Sequence, residues 1–555
     1  MKRISIFASF LLMFSGAWSA EKPTTDKYDR SAMTIYLLDY DANKYHNKTL
    51  EEWKIVKMSE KFDDNELSTR ILVCRDMITS STTMDDKAKA VLAKIKKEKL
   101  ANQVIAKWFD RQPDGTMGVR VIHERGMYNA KDQDVLTAGK SKRGIDQIKD
   151  MGMQLINKSY FHVVDFADIK SHTDLNMDPV KEQHGWTAVV NGYLFKIVFD
   201  DATMLDLFEN MWIYEDDSPE TAKAKKEKFD NYDFNVELVA TVSAPAVLSM
   251  QYGPEHPLGK YLVQKSDDEL FRELMQKGYD RTVFLLENKV PDLRVKVNVF
   301  DIQPIRAKIG KKEALKRDQR YFVYEYVYNE NTKESEPVRK AVIRAKKVVD
   351  NRMVATGESP TSTFYQIHGK KVEPGLLMEQ RNDRGIGIQP RLHIGEMGGY
   401  GFKLAWNPNP MLNIIPMNQV KVFGTLAFES KEYDLTSYGS LSTEYSFMRW
   451  SVGISKGWYF ARAFNFEVSA AYGMEQATWE NSDDQSINVA LVDVGAELGL
   501  HLTHWLRGFA GFDMHLPMSN ATDKDGNELV GSPAYSDIFE NRGGLTINLG
   551  LSIEF

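Results

Sequence analysis

The last twelve residues of the chain alternate without a break. Leu545, Ile547, Leu549, Leu551, Ile553 and Phe555 fall on one side, and Gly544, Thr546, Asn548, Gly550, Ser552 and Glu554 on the other. Successive side chains of a β-strand point to opposite faces, so this segment forms a strand with one wholly apolar face and one polar or small face. The same split recurs at 386–394, 400–406, 420–429, 448–455, 464–475, 492–501 and 506–515, which makes eight strands between Arg384 and Phe555.

A soluble sandwich also alternates, so other features decide. The polar face carries Arg391, Lys403, Lys421, Arg449 and Arg507 against Glu429, Glu467, Glu475, Asp493, Glu497, Asp513 and Glu554, which is five bases facing seven acids. Ions on one face and lipid-like side chains on the other describe a transmembrane barrel whose interior is polar. Long polar connections (430–439, 477–487, 517–541) alternate with short ones (457–462, 502–505), as expected for outer loops and inner turns. The 407–418 link is longer than a usual inner turn and the 396–399 link shorter than a usual outer loop. Trp406, Trp458, Tyr459 and Trp505 sit near strand ends, where an aromatic belt is expected.

This region resembles the outer-membrane β-barrel proteins of Gram-negative bacteria. The resemblance covers residues 384–555 and rests on the alternating final strand and its terminal Phe555. It implies that Phe555 is the residue by which barrel-assembly machinery recognises the chain, and that outer-membrane lipid surrounds the barrel. An even number of strands brings both ends to one side, and the short turns mark that side as periplasmic. Eight strands leave an interior that side chains fill, so a wide pore is not expected. The inner-face ions are expected to neutralise one another.

The first twenty residues read as an address. Lys2 and Arg3 precede an apolar run, Ile4 to Phe14, too short for a bilayer of about 30 Å. Small residues follow, with cleavage expected after Ala20 or Ala17, the pattern of a secretory signal. A single cysteine, Cys74, in 555 residues leaves no disulfide framework and no Cys-rich zinc site. The net charge of −7 argues against nucleic acid as a partner.

Residues 21–292 read as mixed α/β. Strands are expected at 32–40, 70–74, 159–166, 186–199 and 236–251, and helices at 85–109, 145–157, 205–212, 219–229 and 267–286. Residues 293–379 carry short strands, including the run Tyr321 to Tyr328, and suggest a small β-barrel or sandwich directly under the membrane barrel, joined to it by a stiff tether from Arg381 to Arg384. Tyr28–Ser31, Ala106–Arg111 and Glu124–Ala130 are similar to stretches of uncharacterised envelope proteins of Bacteroidota. Asn191 to Phe195 is similar to periplasmic parts of secretion-channel lipoproteins, but the chain lacks their lipid-bearing cysteine.

Local motifs give no chemistry. Gly453-Ile-Ser455-Lys-Gly457 has the nucleophile-elbow spacing but ends a strand with no helix after it. Gly139-Lys140-Ser141 has Asp134 where a phosphate loop needs glycine. Asp523 to Glu528 is acidic and could touch calcium, but its glycine stands fourth rather than sixth and reads as a hairpin tip. His393, His501 and His515 share the barrel interior and are expected to join its ion network rather than bind metal. Cys74 reads as a buried small hydrophobe and Lys96 to Lys99 as a solvated helix face.

The sequence therefore predicts a multidomain outer-membrane protein, not an enzyme and without cofactors. Its domains are a signal peptide (1–20), an α/β periplasmic region (21–292), a small β module (293–379) and an eight-stranded barrel (384–555). The periplasmic part is expected to scaffold, dock or assemble envelope partners. A narrow channel gated by that part is the alternative, and an envelope-polymer hydrolase the third.

Overall fold

The computed structural model describes the chain except residues 1–30, 42–43, 66, 68–69, 119–120, 122–155, 331–333, 354–359, 434–442, 480–485, 532 and 541. The expected signal peptide, most of the helix at 145–157 and the Gly139–Ser141 motif lie outside the described residues.

The N-terminal region is built on β1 (Ala32–Asp39), β2 (Asp63–Asp64), β3 (Ile71–Val73), β4 (Ser159–Ser171), β5 (Gln183–Val198) and β6 (Asn235–Tyr252). They pair in the order β2-β1-β4-β5-β6, with β3 beside the other half of β1. β1 runs parallel to β2, β3 and β4, and the rest pair antiparallel. Helices α1 (His46–Trp53), α2 (Met84–Lys97), α3 (Leu100–Trp108), α4 (Asp201–Asn210), α5 (Pro219–Asn231) and α6 (Asp267–Lys289) cover the sheet.

Both faces are buried. Val91, Ile95, Val104, Trp108, Leu207 and Phe229 pack on Tyr36, Phe161, Val163 and Phe195 from one side. Trp53, Phe271, Leu274, Tyr279 and Leu286 pack on Ile35, Leu37, Val164 and Leu194 from the other. A strand covered on both faces must be apolar throughout, which is why β1 reads AMTIYLLD. The start of α6 is fixed by Ser266 and Glu269, which cap each other's backbone amides. Gly278 lets α6 approach the sheet, since a Cβ there would stand 2.7 Å from the Phe166 ring. The single helix expected at 85–109 is two helices. Lys99 is left-handed (φ 51°) and turns the chain between α2 and α3.

The next unit contains β7 (Lys296–Asn298), β8 (Asp301–Ile302), β9 (Ile305–Ala307), β10 (Arg320–Asn329), β11 (Glu334–Lys347), β12 (Ser362–Gly369) and β13 (Leu377–Arg381). They form one sheet in the order β7-β13-β10-β11-β12-β9-β8. Val297, Ala307, Tyr321, Ile343, Phe364 and Met378, from six of its strands, share one core. It is a half-barrel folded around its own interior rather than two stacked sheets.

The last unit is a closed barrel of β14 (Ile386–Gly395), β15 (Gly399–Trp406), β16 (Val420–Tyr433), β17 (Thr443–Phe460), β18 (Phe464–Trp479), β19 (Ser486–His501), β20 (Leu506–Pro517) and β21 (Gly544–Glu554). Two short helices, α7 (Asn409–Leu412) and α8 (Tyr535–Ile538), lie in its connections. Every strand pairs antiparallel with its sequence neighbours, and β14 pairs with β21 with Gly387 opposite Glu554. Both ends of the barrel therefore meet at its base, the end that carries the 407–419, 461–463 and 502–505 turns. The half-barrel joins the chain at that base.

Candidate functional site: a barrel sealed at both ends

Period-two geometry sorts the barrel wall. Leu392, Phe402, Val452, Ile454, Leu498, Phe512 and Leu549 are exposed on the outside. Arg391, Lys403, Lys421, Arg449, Glu467, Glu497 and Arg507 are buried inside. Alternation breaks to glycine where the ions need room. A Cβ at Gly499 would collide with Asn465 and Arg507, and one at Gly495 with Asp513 and Ser469.

All twelve inner-face ions named from the sequence point into the lumen, and they form tiers. Near the base, Glu467 accepts from Lys421 (2.8 Å) and Lys403 (3.2 Å). Glu497 pairs with Arg391, Lys403 (3.7 Å) and Arg507 (3.6 Å). Higher up, Asp513 lies 3.8 Å from Arg391 and accepts from Asn548 (2.9 Å), while Asp493 pairs with His515 (2.6 Å). Arg449 and Glu429 belong to the uppermost tier. Buried charges persist only where opposite charges and hydrogen bonds offset their desolvation, and this lattice supplies both.

The top tier is completed by a residue that strand periodicity does not reveal. Arg542 enters from the 518–543 connection and is fully buried. Its guanidinium grips Glu475 bidentately (2.6 and 3.0 Å) and reaches Glu429 (2.8 Å). Tyr535 donates to Glu475 (2.9 Å), and Arg449 approaches the same carboxylate (3.3 Å). Around this centre Tyr445, Phe447, Val489 and Leu491 of the wall meet Tyr535, Ile538 and Phe539 of the connection in an apolar cluster. The connection expected to be a polar outer loop is thus a plug at its C-terminal part. Its tip stays outside, and Asp523 spends its carboxylate on the amides of Asp525 and Asn527 (both 2.9 Å).

The base is closed from below by the half-barrel. Asp318, fully buried, accepts from the Gln419 backbone (2.7 Å), Asn407 (3.0 Å), Asn418 (3.2 Å) and Tyr365 (2.7 Å). Burial and this neighbouring carboxylate push the Tyr365 phenol well above its usual range. Arg344 of β11 pairs with Asp383 and stands 3.8 Å from Glu554. Arg542 above adds a sixth base to the inner face, and Arg344 below is shared between Asp383 and Glu554.

A cavity of about 30 Å³ lies among Arg391, His393, Arg449, Asp493 and His515, and one of about 20 Å³ beside Arg344, Lys421 and Glu554. Each has room for one or two water molecules.

Other sequence candidates fall into place. Tyr459 does not belong to the outer belt. It shares the inward parity of Ser455 and bonds His501 (2.9 Å) and stacks near Tyr365 of the half-barrel (5.3 Å). Trp406, Trp458 and Trp505 do face outward. His501 sits at the base, apart from His393 and His515 around the upper cavity. Ser455 lies mid-strand, buried inside the wall. Phe555 donates its amide to Ile386 (2.8 Å), and its ring is half exposed. Cys74 is buried in the N-terminal core, where desolvation pushes its thiol up to about 11. In the N-terminal sheet, Lys87 pairs with Asp165 (2.9 Å), which also accepts from Tyr40 (2.8 Å) and Asn191 (3.2 Å), all inside the core. His184 and His172 converge on Asp267 at the start of α6 (3.1 and 3.8 Å).

No family model matches the chain, and no curated protein matches it. Among solved structures it is similar to the N-terminal β-barrel domain of OprF from Pseudomonas aeruginosa (14% identity, TM-score 0.21), covering 32% of this chain and 100% of that one. It is also similar to a major outer membrane protein from Thermus thermophilus (15% identity, TM-score 0.22), covering 31% of this chain and 99% of that one.

Proposed function

We propose that the chain is an outer-membrane protein whose barrel is a sealed anchor and whose N-terminal units, in the periplasm, scaffold or dock other envelope proteins. One observation carries this reading: the barrel is apolar outside, ion-filled inside, plugged above by Arg542 and Tyr535 and floored below by Asp318 and Arg344. A wall of exposed Leu, Ile, Val, Phe and Trp is costly in water and suited to hydrocarbon. A lumen lined by paired ions, with the plug above and the floor below, favours an anchor over a conducting path. The bulk of the chain lies below the barrel, in a double-covered α/β layer and a half-barrel held against the base. Outer-membrane lipid is its first partner, and barrel-assembly machinery reading Phe555 its second.

The test has two parts. Membrane fractionation should recover the chain in the outer membrane, resistant to alkaline extraction, and recovery as a soluble protein would sink the reading. Purified protein in planar bilayers should show no steady conductance, while in-cell crosslinking should trap the N-terminal units with discrete envelope proteins. Steady ion current without crosslinked partners would favour the gated-channel alternative.

A further inference from the structure

The half-barrel presents one sheet face to the barrel base. Phe322 of β10 meets the His504 ring edge-on (5.1 Å), Tyr365 of β12 meets Tyr459, and His368 meets the His501 carbonyl (3.2 Å). His504 is the neighbour of Trp505, an outward aromatic at the base. Phe322 therefore stands at the level of the barrel's basal aromatic belt, where the headgroups of the inner leaflet lie if the barrel spans a membrane.

β10 does not stop there. It pairs with β13 only as far as Tyr324, then runs on with β11 as a free hairpin. Side chains two apart share a face, so Tyr324, Tyr326 and Tyr328 continue the face of Phe322. Tyr326 is 57% exposed and Tyr328 60% exposed. Pro337 and Arg339 lie opposite Tyr326 and Tyr324 on that face, whereas Glu325, Val327, Glu336 and Val338 take the other. Arg339 and Arg381 flank the Phe322 ring (4.9 and 5.0 Å), and Arg381 donates to the Tyr324 hydroxyl (2.8 Å). Burial first, and then the neighbouring Arg339 and Arg320, holds His504 down to about 4. Six residues of strand carry Tyr328 about 20 Å beyond Phe322.

We propose that this hairpin lies on the inner-leaflet surface of the membrane, with Tyr324, Tyr326 and Tyr328 among the headgroups and Arg339 and Arg381 against lipid phosphates. The inference rests on the anchor reading above. Two features select lipid as the occupant. The face is continuous with the surface that already covers the barrel base, and beyond Phe322, where Glu379 is held by Arg294 (2.9 Å) and Arg381 (3.6 Å), its free end carries Arg339 and no acid. Tyrosine, apolar in its ring and wet at its hydroxyl, suits that layer.

Labels test it in the full chain. An environment-sensitive fluorophore is placed at Tyr328→Cys, at Val327→Cys on the opposite face, and at Val452→Cys on the outer barrel wall; native Cys74 is buried out of reach. Each variant is folded into vesicles of phosphatidylethanolamine and phosphatidylglycerol containing nitroxide lipids. Headgroup nitroxides should quench the label at 328 severalfold more than the label at 327. Equal quenching at 328 and 327 overturns the proposal. So does shielding of 328 that requires added soluble envelope protein, which would make the face a protein-docking strand. Acyl-chain nitroxides should quench the label at 452, and failure there removes the anchor reading itself.

Discussion

Asp318 accepts the backbone N–H of Gln419 at 2.7 Å, across 101 residues of chain and across the joint between the half-barrel and the barrel. The same carboxylate takes Asn407 and Asn418 of the barrel turn and Tyr365 of its own sheet. One buried anion thereby fixes the position of two units.

Replacing that anion should uncouple them. Asp318→Ala strips the acceptor from four donors, two of them buried, and a charged hydrogen bond contributes about 1.5–3 kcal/mol. The expected outcome is faster proteolysis between Arg381 and Ile386 with the barrel still folded. Limited proteolysis, with the heat-dependent gel shift of the barrel as control, checks it.

Arg542→Ala leaves Glu429 buried without its cation and Glu475 with Arg449 alone. Removing one partner of a buried pair costs about 3–5 kcal/mol. The urea midpoint of the barrel in lipid vesicles should fall accordingly. Arg542→Met combined with Glu475→Gln should regain part of the loss, because residue 475 then carries no charge to leave unpaired, while Glu429 still lacks its partner.

Outside, the sign of a charge matters less than its depth. Val452→Arg places a cation on the exposed wall and should cost about 2–4 kcal/mol in vesicles. Thr425→Ser, on the inward side, should change the midpoint little. A reversed order would mean that the wall does not face hydrocarbon.

The N-terminal unit carries a pH dependence of its own. His162 is fully buried against Tyr279 and Gly192, and desolvation lowers it to about 3. The unfolded chain takes up this proton near pH 6.5 and the folded chain only near pH 3, so the unfolded state binds more protons in between. Stability should therefore fall as pH drops through that window. His162→Leu should flatten the slope, as read from urea midpoints of the N-terminal transition at pH 7 and pH 5.

The barrel was legible because a strand writes its two environments in alternate letters. Ile547 and Leu549 announce the outside and Asn548 the inside, whatever the rest of the chain does. Parity also held the answer for Tyr459, which follows Ser455 and Gly457 on the inward register, but its place at a strand end suggested a belt. Tyr445 and Phe447 are apolar yet inward, so they hid the upper end of β17 until the plug that covers them was seen. Arg542 lies in a polar connection with no period at all. Its only trace in the sequence is arithmetic, five strand bases against seven acids, a deficit that Arg542 narrows from outside the wall. In the N-terminal unit, strands buried on both faces stood out as apolar runs. The break at Lys99 carries neither glycine nor proline and gave no sign.

The clasp at Asp318 also limits how the two units could part. Its carboxylate holds the Gln419 amide and the side chains of Asn407 and Asn418 at once, so opening a gap at the base means breaking three hydrogen bonds to the barrel turn together. Short of that rupture, wall and floor share one hinge-free joint.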